Sequence, residues 1–187
     1  MDELSMKIIT DHNVDIDDGL FSIIGDVNED LYEKVFQDII LLTKNEDNVD
    51  KNGKIKQATL FLSTYGGEVY YGFAIYDLLK ISVKNLKIIC SGPVMSAGTI
   101  ILQAGHERVA MPNAQLLVHF GMEVNDSQQS KQHHADVNKR IKKILSDRCT
   151  VKEQTVKKWF SKESYFDSAR AKEVGLVDRI VGQDEQE

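Results

Sequence analysis

Residues 90–120, CSGPVMSAGTIILQAGHERVAMPNAQLLVHF, decide how this chain is read. They open on the end of an apolar run, Leu86-Lys87-Ile88-Ile89-Cys90, and pass into a small-residue turn, Met95-Ser96-Ala97-Gly98. An apolar, helix-compatible segment from Thr99 to Ala104 follows. A serine between a strand and a helix is held out from the backbone, close to the unpaired N–H groups of the helix start. That placement suits a nucleophile whose tetrahedral intermediate needs backbone donors. A second apolar run, Gln115 to Val118, then delivers His119. A hairpin-like turn at Met111-Pro112-Asn113 is expected to fold the two segments together, so that Ser96 and His119 meet. This is the outline of a serine hydrolase.

Each feature alone has an ordinary explanation. A serine in such a turn is more often a helix cap. A histidine closing an apolar strand is more often a hydrogen-bonded core residue. A third feature upstream shifts the balance. The apolar run Leu60-Phe61-Leu62 leads through Ser63-Thr64-Tyr65 to Gly66-Gly67, and a helical segment from Val69 to Leu79 follows. A double glycine after a strand permits a sharp turn and close approach to a ligand.

In this combination and order, the chain resembles the ClpP family, the proteolytic subunit of Clp proteases. The resemblance rests on Phe21-Ser22-Ile23-Ile24-Gly25-Asp26-Val27, Ser63-Thr64-Tyr65-Gly66-Gly67, Met95-Ser96-Ala97-Gly98, Ala110-Met111-Pro112-Asn113-Ala114, Val118-His119 and the closing Ala171-Lys172-Glu173-Val174-Gly175-Leu176-Val177-Asp178. It spans roughly Gly19 to Val181. It implies an α/β fold of the crotonase-like, ClpP-like kind: a spiral of βα units with a projecting helical handle. It also implies a Ser-His-acid triad and heptameric rings, paired into a tetradecamer that encloses peptide or unfolded-protein substrates and is served by a Clp-type AAA+ unfoldase.

Position by position, the resemblance makes Ser96 the nucleophile and His119 the general base. The backbone N–H groups of Gly67 and Ala97 become the oxyanion hole. The family acid, an aspartate, stands twelve residues before the closing glycine, and counting back from Gly175 reaches Glu163. Anchoring on Ser168-Ala169 instead reaches Ser164, which leaves no acid. The glycine anchor is preferred because it frees Asp167 to cap a helix from Ser168 to Val174. Glutamate orients an imidazole as aspartate does. Asp167 stays open as an alternative acid.

Composition narrows the classes. A chain of 187 residues with 42% hydrophobic residues is expected to form one globular domain, residues 1–187, with its core at about 19–181. A net charge of −6 argues against nucleic acid as a partner. No apolar run approaches the about 18 residues of a membrane span, and the start MDELSMKIITDH lacks the pattern of a secretory signal. A cytoplasmic protein without a membrane partner is therefore expected. Cys90 and Cys149 read as reduced, structural thiols. No Cys/His spacing fits zinc, and the adjacent His133-His134 cannot share a helix face, so the pair reads as solvated surface. Neither metal nor cofactor is expected.

Along the chain, Leu20 to Ile24, Ala58 to Leu62 and Leu86 to Cys90 read as strands. Glu29 to Leu42 reads as a helix with an apolar stripe at Leu31, Val35, Ile39 and Leu42. Lys44 to Lys56 reads as a surface loop without chemistry. From Ser127 to Asp147 a charged helix is expected, with Ala135, Val137, Ile141, Ile144 and Leu145 on one face. Exposed at Val137, Ile141 and Ile144, that face would be an association-prone patch buried in a ring. Two departures from the family pattern stand out. Gly121-Met122-Glu123-Val124-Asn125-Asp126 replaces the glycine-rich strand after the histidine, and only MDELSMKIITDHNVDIDD precedes Gly19, where the family carries axial loops. The short start fits a reduced gate to an ATPase, or a variant working without one, such as a virus-encoded capsid-maturation protease. Two further rivals are a catalytically silent ring subunit and a crotonase-type acyl-CoA enzyme, which shares the fold and its backbone oxyanion hole. The Ser96–His119 pair argues against both.

Overall fold

The structure is a computed structural model that describes residues 12–119 and 127–183. The first strand, β1 (Leu20–Ile24), alternates as its sequence predicts, burying Phe21 and Ile23. Helix α1 (Glu29–Leu42) starts where Asn28 accepts a hydrogen bond from the Leu31 N–H at 2.9 Å, with Glu29 and Asp30 in its first turn. Its buried stripe is the expected one, with Asp38 added. Burial pushes the Asp38 carboxyl up, against a 2.6 Å ion pair with Lys34.

The 44–56 stretch is a loop only in part. A short 3-10 turn (Glu46–Asn48) stands within it, and β2 (Ile55–Thr64) already begins inside it. Asp50 ties the loop down by accepting the N–H groups of Asn52 and Lys54 at 2.8 and 2.9 Å and pairing with Lys84 at the start of β3. The Lys84 hydrogen bond, the Lys54 N–H and the Asn52 N–H lower its carboxyl to about 2.

Helix α2 (Val69–Ser82) follows β2 and leads into β3 (Val83–Met95), a strand thirteen residues long. The Ser91-Gly92-Pro93 sequence looks like a break, yet the strand runs through it by changing neighbours. Lys87 to Cys90 pair with β4 (Glu107–Ala110), while Pro93 to Met95 pair with β5 (Gln115–Val118). A bulge between these segments shifts the register against β2, from Leu62↔Cys90 to Thr64↔Val94.

This arrangement corrects the expected hairpin. Strands β4 and β5 both run parallel to β3, so the chain jogs sideways at 111–114 and does not reverse. Helix α3 (Ala97–Leu102) lies between β3 and β4 and is buried throughout. It begins two residues before the expected Thr99. Among the described residues the sheet has seven strands in the order β1-β2-β3-β4-β7, with β5 beside the upper end of β3 and β6 (Ser164–Asp167) antiparallel to β5. The short β7 (Arg179–Ile180) pairs with β4.

Helix α4 (Gln128–Ser146) starts at a Ser127 cap, as its sequence implies. Its apolar face, however, is no exposed patch. Val137 and Ile141 are 3% and 6% exposed, packed with Leu145 in the chain's own core, and Ile144 is half-buried. Ala135 is exposed, as is most of the first half of α4, which gives the helix its projecting, handle-like character. His133 is exposed, as its sequence reading has it, and Tyr70 on α2 stacks on it there and is hydrogen-bonded to its Nε2. The replaced segment 121–126 lies outside the described residues.

Helices α5 (Glu153–Trp159) and α6 (Ser168–Glu173) complete the fold, and Asp167 caps α6 as predicted, 2.8 Å from the Arg170 N–H. The closing Gly175–Asp178 segment is clamped by Arg108 of β4, which is 3% exposed. Its guanidinium donates to both Asp178 oxygens, to Gln103 Oε1 at 2.5 Å and to Gly175 O at 2.9 Å. Burial works to raise the Asp178 carboxyl, but the hydrogen bonds and charge of Arg108, with Arg148, leave it below the usual carboxylate value. Cys90 and Cys149 are free thiols, pushed by burial to about 12 and about 11. No helix among the described residues is long and apolar enough to cross a membrane.

Candidate active site

Ser96 occupies the single-residue step from β3 to α3, with φ +52° and ψ −120°. A residue with a Cβ holds such a backbone at a cost of about 1–3 kcal/mol, so the surrounding structure must impose it. Three bonds do so here. The Ser96 N–H donates to Leu117 O at 2.8 Å, while Ser96 O accepts from the Thr99 N–H and hydroxyl at 2.9 and 2.7 Å. The Ser96 side chain makes no capping bond to α3, which sets aside the helix-cap explanation.

The double glycine packs directly on this turn. Gly66 has φ +101°, and a Cβ there would lie 2.6 Å from Ser96 Cβ and 2.8 Å from Met95 O. Gly67 has φ +145°, and its Cβ would fall on the Val27 carbonyl oxygen, 2.9 Å from the Val27 nitrogen. Val27 bridges to this segment by donating to Gly66 O at 2.8 Å and accepting from the Glu68 N–H at 2.7 Å. Gly98 is equally constrained, since a Cβ there would meet Thr64 Cγ2 at 2.5 Å. The small residues on both turns thus follow from one contact between two backbone segments. Among the described residues, neither the Gly67 nor the Ala97 N–H has a hydrogen-bond partner, so both are available to a ligand.

His119 arrives by parallel pairing. Met95 lies across from Leu117, so the next residues of β3 and β5 carry Ser96 and His119 out at the same end of the sheet. Together with Gly67 and Ala97 they line one small pocket of about 20 Å³. Its apolar wall is Val69, Ile100, Val118, Ile141 and Phe160. Four of the five expected site residues are therefore brought together.

Glu163 stands apart from that pocket. The β5–β6 register, which ends at Val118↔Ser164, sets it one step further on, across from His119. It is exposed, and its Oε2 accepts from the Tyr165 hydroxyl at 3.0 Å, which raises the phenol pKa. Among the described residues no hydrogen bond joins His119 to Glu163 or to Ser96. The two other candidates are otherwise engaged. Ser164 Oγ donates to Trp159 O at 3.3 Å, while Asp167 caps α6 and pairs with Gln115, four strand positions or about 13 Å from His119. Sequence reading missed Ile141 and Phe160 as pocket residues. Both come from distant helical segments, and nothing in their local pattern marks them. No group of three or more metal-ligating side chains is arranged to hold an ion among the described residues.

The Clp protease family model matches residues 9–184 of the chain. Among solved structures, the chain is similar to a point mutant of ClpP1 from Listeria monocytogenes, with a TM-score of 0.80 and 23% identity over 95% of each chain. That likeness bears out the mixed α/β, ClpP-like fold.

Proposed function

The chain belongs to the Clp protease family, and from that premise we propose that it hydrolyses peptide bonds with Ser96 as nucleophile. Ser96 Oγ attacks the scissile carbonyl while His119 takes its proton. The carbonyl oxygen gathers negative charge between the N–H groups of Gly67 and Ala97. His119 then gives the proton to the departing amine, leaving an acyl-enzyme. Water, deprotonated by His119, releases the acid product and restores Ser96. Glu163 is the proposed third member, holding the His119 tautomer from the facing strand position.

The observation that carries this reading is the strained Ser96 backbone, its hydroxyl uncommitted to the helix, in one pocket with His119 and two free N–H groups. The pocket's apolar wall shields the reacting atoms from bulk water, and at about 20 Å³ it has room for a water-sized group. The family forms rings, and the proposed assembly is a heptamer, paired face to face, acting in the cytoplasm with a Clp-type unfoldase. Because the α4 face is buried within the chain, ring formation rests on family membership and not on that patch. Ser96→Ala is expected to abolish hydrolysis of a fluorogenic peptide while leaving a folded oligomer. Hydrolysis by Ser96→Ala at the wild-type rate would sink the assignment.

A further inference from the structure

Gly67 and Val69 border a second, wider cleft of about 730 Å³. Its other walls include two carboxylates, Asp26 and Glu68, and two phenol rings, Tyr65 and Tyr70. Glu68 directly follows the proposed oxyanion glycine and stands at the N-cap of α2 without making a capping bond. Both carboxylates are exposed, and among the described residues neither forms a hydrogen bond or ion pair through its side chain. Tyr65 is 73% exposed, an unusual position for a ring that could have been buried. No lysine or arginine lines the cleft. The acidic field reaches further, since burial and then the charges of Glu29, Glu68 and Glu33 push the neighbouring Tyr71 phenol up.

Carboxylates beside aromatic faces are the chemistry that receives a guanidinium or ammonium group, by ion pairing and by cation–π contact. The position matters as much as the chemistry. Gly67 and Val69 line both spaces, so a peptide whose carbonyl sits at Gly67 and Ala97 has the cleft beside its scissile bond. We propose that the cleft selects a cationic side chain next to the scissile bond, with Glu68 and Asp26 as specificity-determining residues. The inference rests on the reading of Ser96 and Gly67 given above and adds a substrate class to it: peptides with an arginine or lysine next to the scissile bond.

Two fluorogenic peptides test it, Arg-Leu-coumarin and its neutral isostere citrulline-Leu-coumarin, both N-acetylated. The arginine peptide is expected to show a kcat/KM about fivefold higher, mostly through KM, with the preference shrinking at high salt. In the double variant Glu68→Gln/Asp26→Asn the ratio falls toward one, and in Glu68→Lys it inverts in favour of a glutamate peptide. Binding of dye-labelled versions to the Ser96→Ala protein reads the cleft without turnover. A ratio near one in wild type, or a ratio unmoved in both variants, overturns the cleft assignment even when hydrolysis depends on Ser96. If arginine-selective binding persists while no hydrolysis depends on Ser96, the cleft assignment stands and the nucleophile assignment falls.

Discussion

Around Ser96 the backbone has no freedom. Gly66 and Gly67 press against Ser96 and Val27 at distances that exclude a methyl group, and Gly98 does the same against Thr64. Around His119 the means are looser. The histidine ends a four-residue strand whose antiparallel partner is also four residues long, and Glu163 across from it is exposed and bonded to Tyr165. The proposed nucleophile and its backbone donors are thus set by steric exclusion, which tolerates no relaxation. The proposed base and acid are set by strand register and side-chain rotation, which do. Damage to the first region should appear in stability and activity together, and damage to the second in activity alone.

Glu163→Gln carries the largest expected effect, since losing the acid of a Ser-His-acid triad lowers turnover by about 10⁴. Turnover on a fluorogenic peptide, compared with an unchanged melting temperature, checks it. Full activity in both Glu163→Gln and Asp167→Asn would show that the enzyme works as a Ser-His dyad. Gly67→Ala comes next. Its Cβ collides with Val27 at a φ of +145°, so it should lose about 3 kcal/mol of stability and at least 100-fold in rate. Gly25→Ala is its control, because φ is +106° but nothing lies within 4 Å of the added Cβ. That substitution should cost only about 1 kcal/mol in denaturant unfolding. Equal losses from the two would remove the steric account.

Arg108→Met tests a structural tie remote from the chemistry. It takes the buried donor from Gln103 Oε1 and Gly175 O, while Asp178 keeps the residue-108 backbone N–H and Arg148, and should cost about 2 kcal/mol by denaturant unfolding. The same tie gives a pH signature. The folded Asp178 carboxyl titrates below its ordinary value, so its contribution is complete above the unfolded-state pKa and disappears as pH falls through the folded one. The melting temperature of wild type should therefore drop more steeply on acidification than that of Asp178→Asn, and parallel curves would refute the linkage. The smallest effect belongs to Asp167→Asn, which disturbs only a helix cap and should cost about 1 kcal/mol or less, with activity retained. A dead Asp167→Asn beside an active Glu163→Gln would move the acid to Asp167.

Much of this contrast was legible in the sequence. Strand β1, helix α1 and strand β5 are legible to the residue, because an apolar stripe at helical spacing and short apolar runs are local signals. The double glycine and the Ser96 turn were legible for the same reason, as strained backbone selects its residues one by one. What failed was non-local. Strand β3 passes through Gly92-Pro93 because two different neighbours hold it, and the Pro112-Asn113 turn joins parallel segments because β3, not β4, is the partner of β5. The period of α4 was legible, but whether its apolar face met its own domain or another subunit was not.

The claim on which everything else depends is that Ser96 is a nucleophile activated within its pocket. Incubation with a fluorophosphonate probe, followed by digestion and mass mapping of the labelled peptide, tests it most directly. The account predicts a single adduct on Ser96 in wild type, its loss in Ser96→Ala and strong slowing in His119→Ala. Absence of labelling in the folded wild-type protein, or an adduct that persists on another serine in Ser96→Ala, would contradict it.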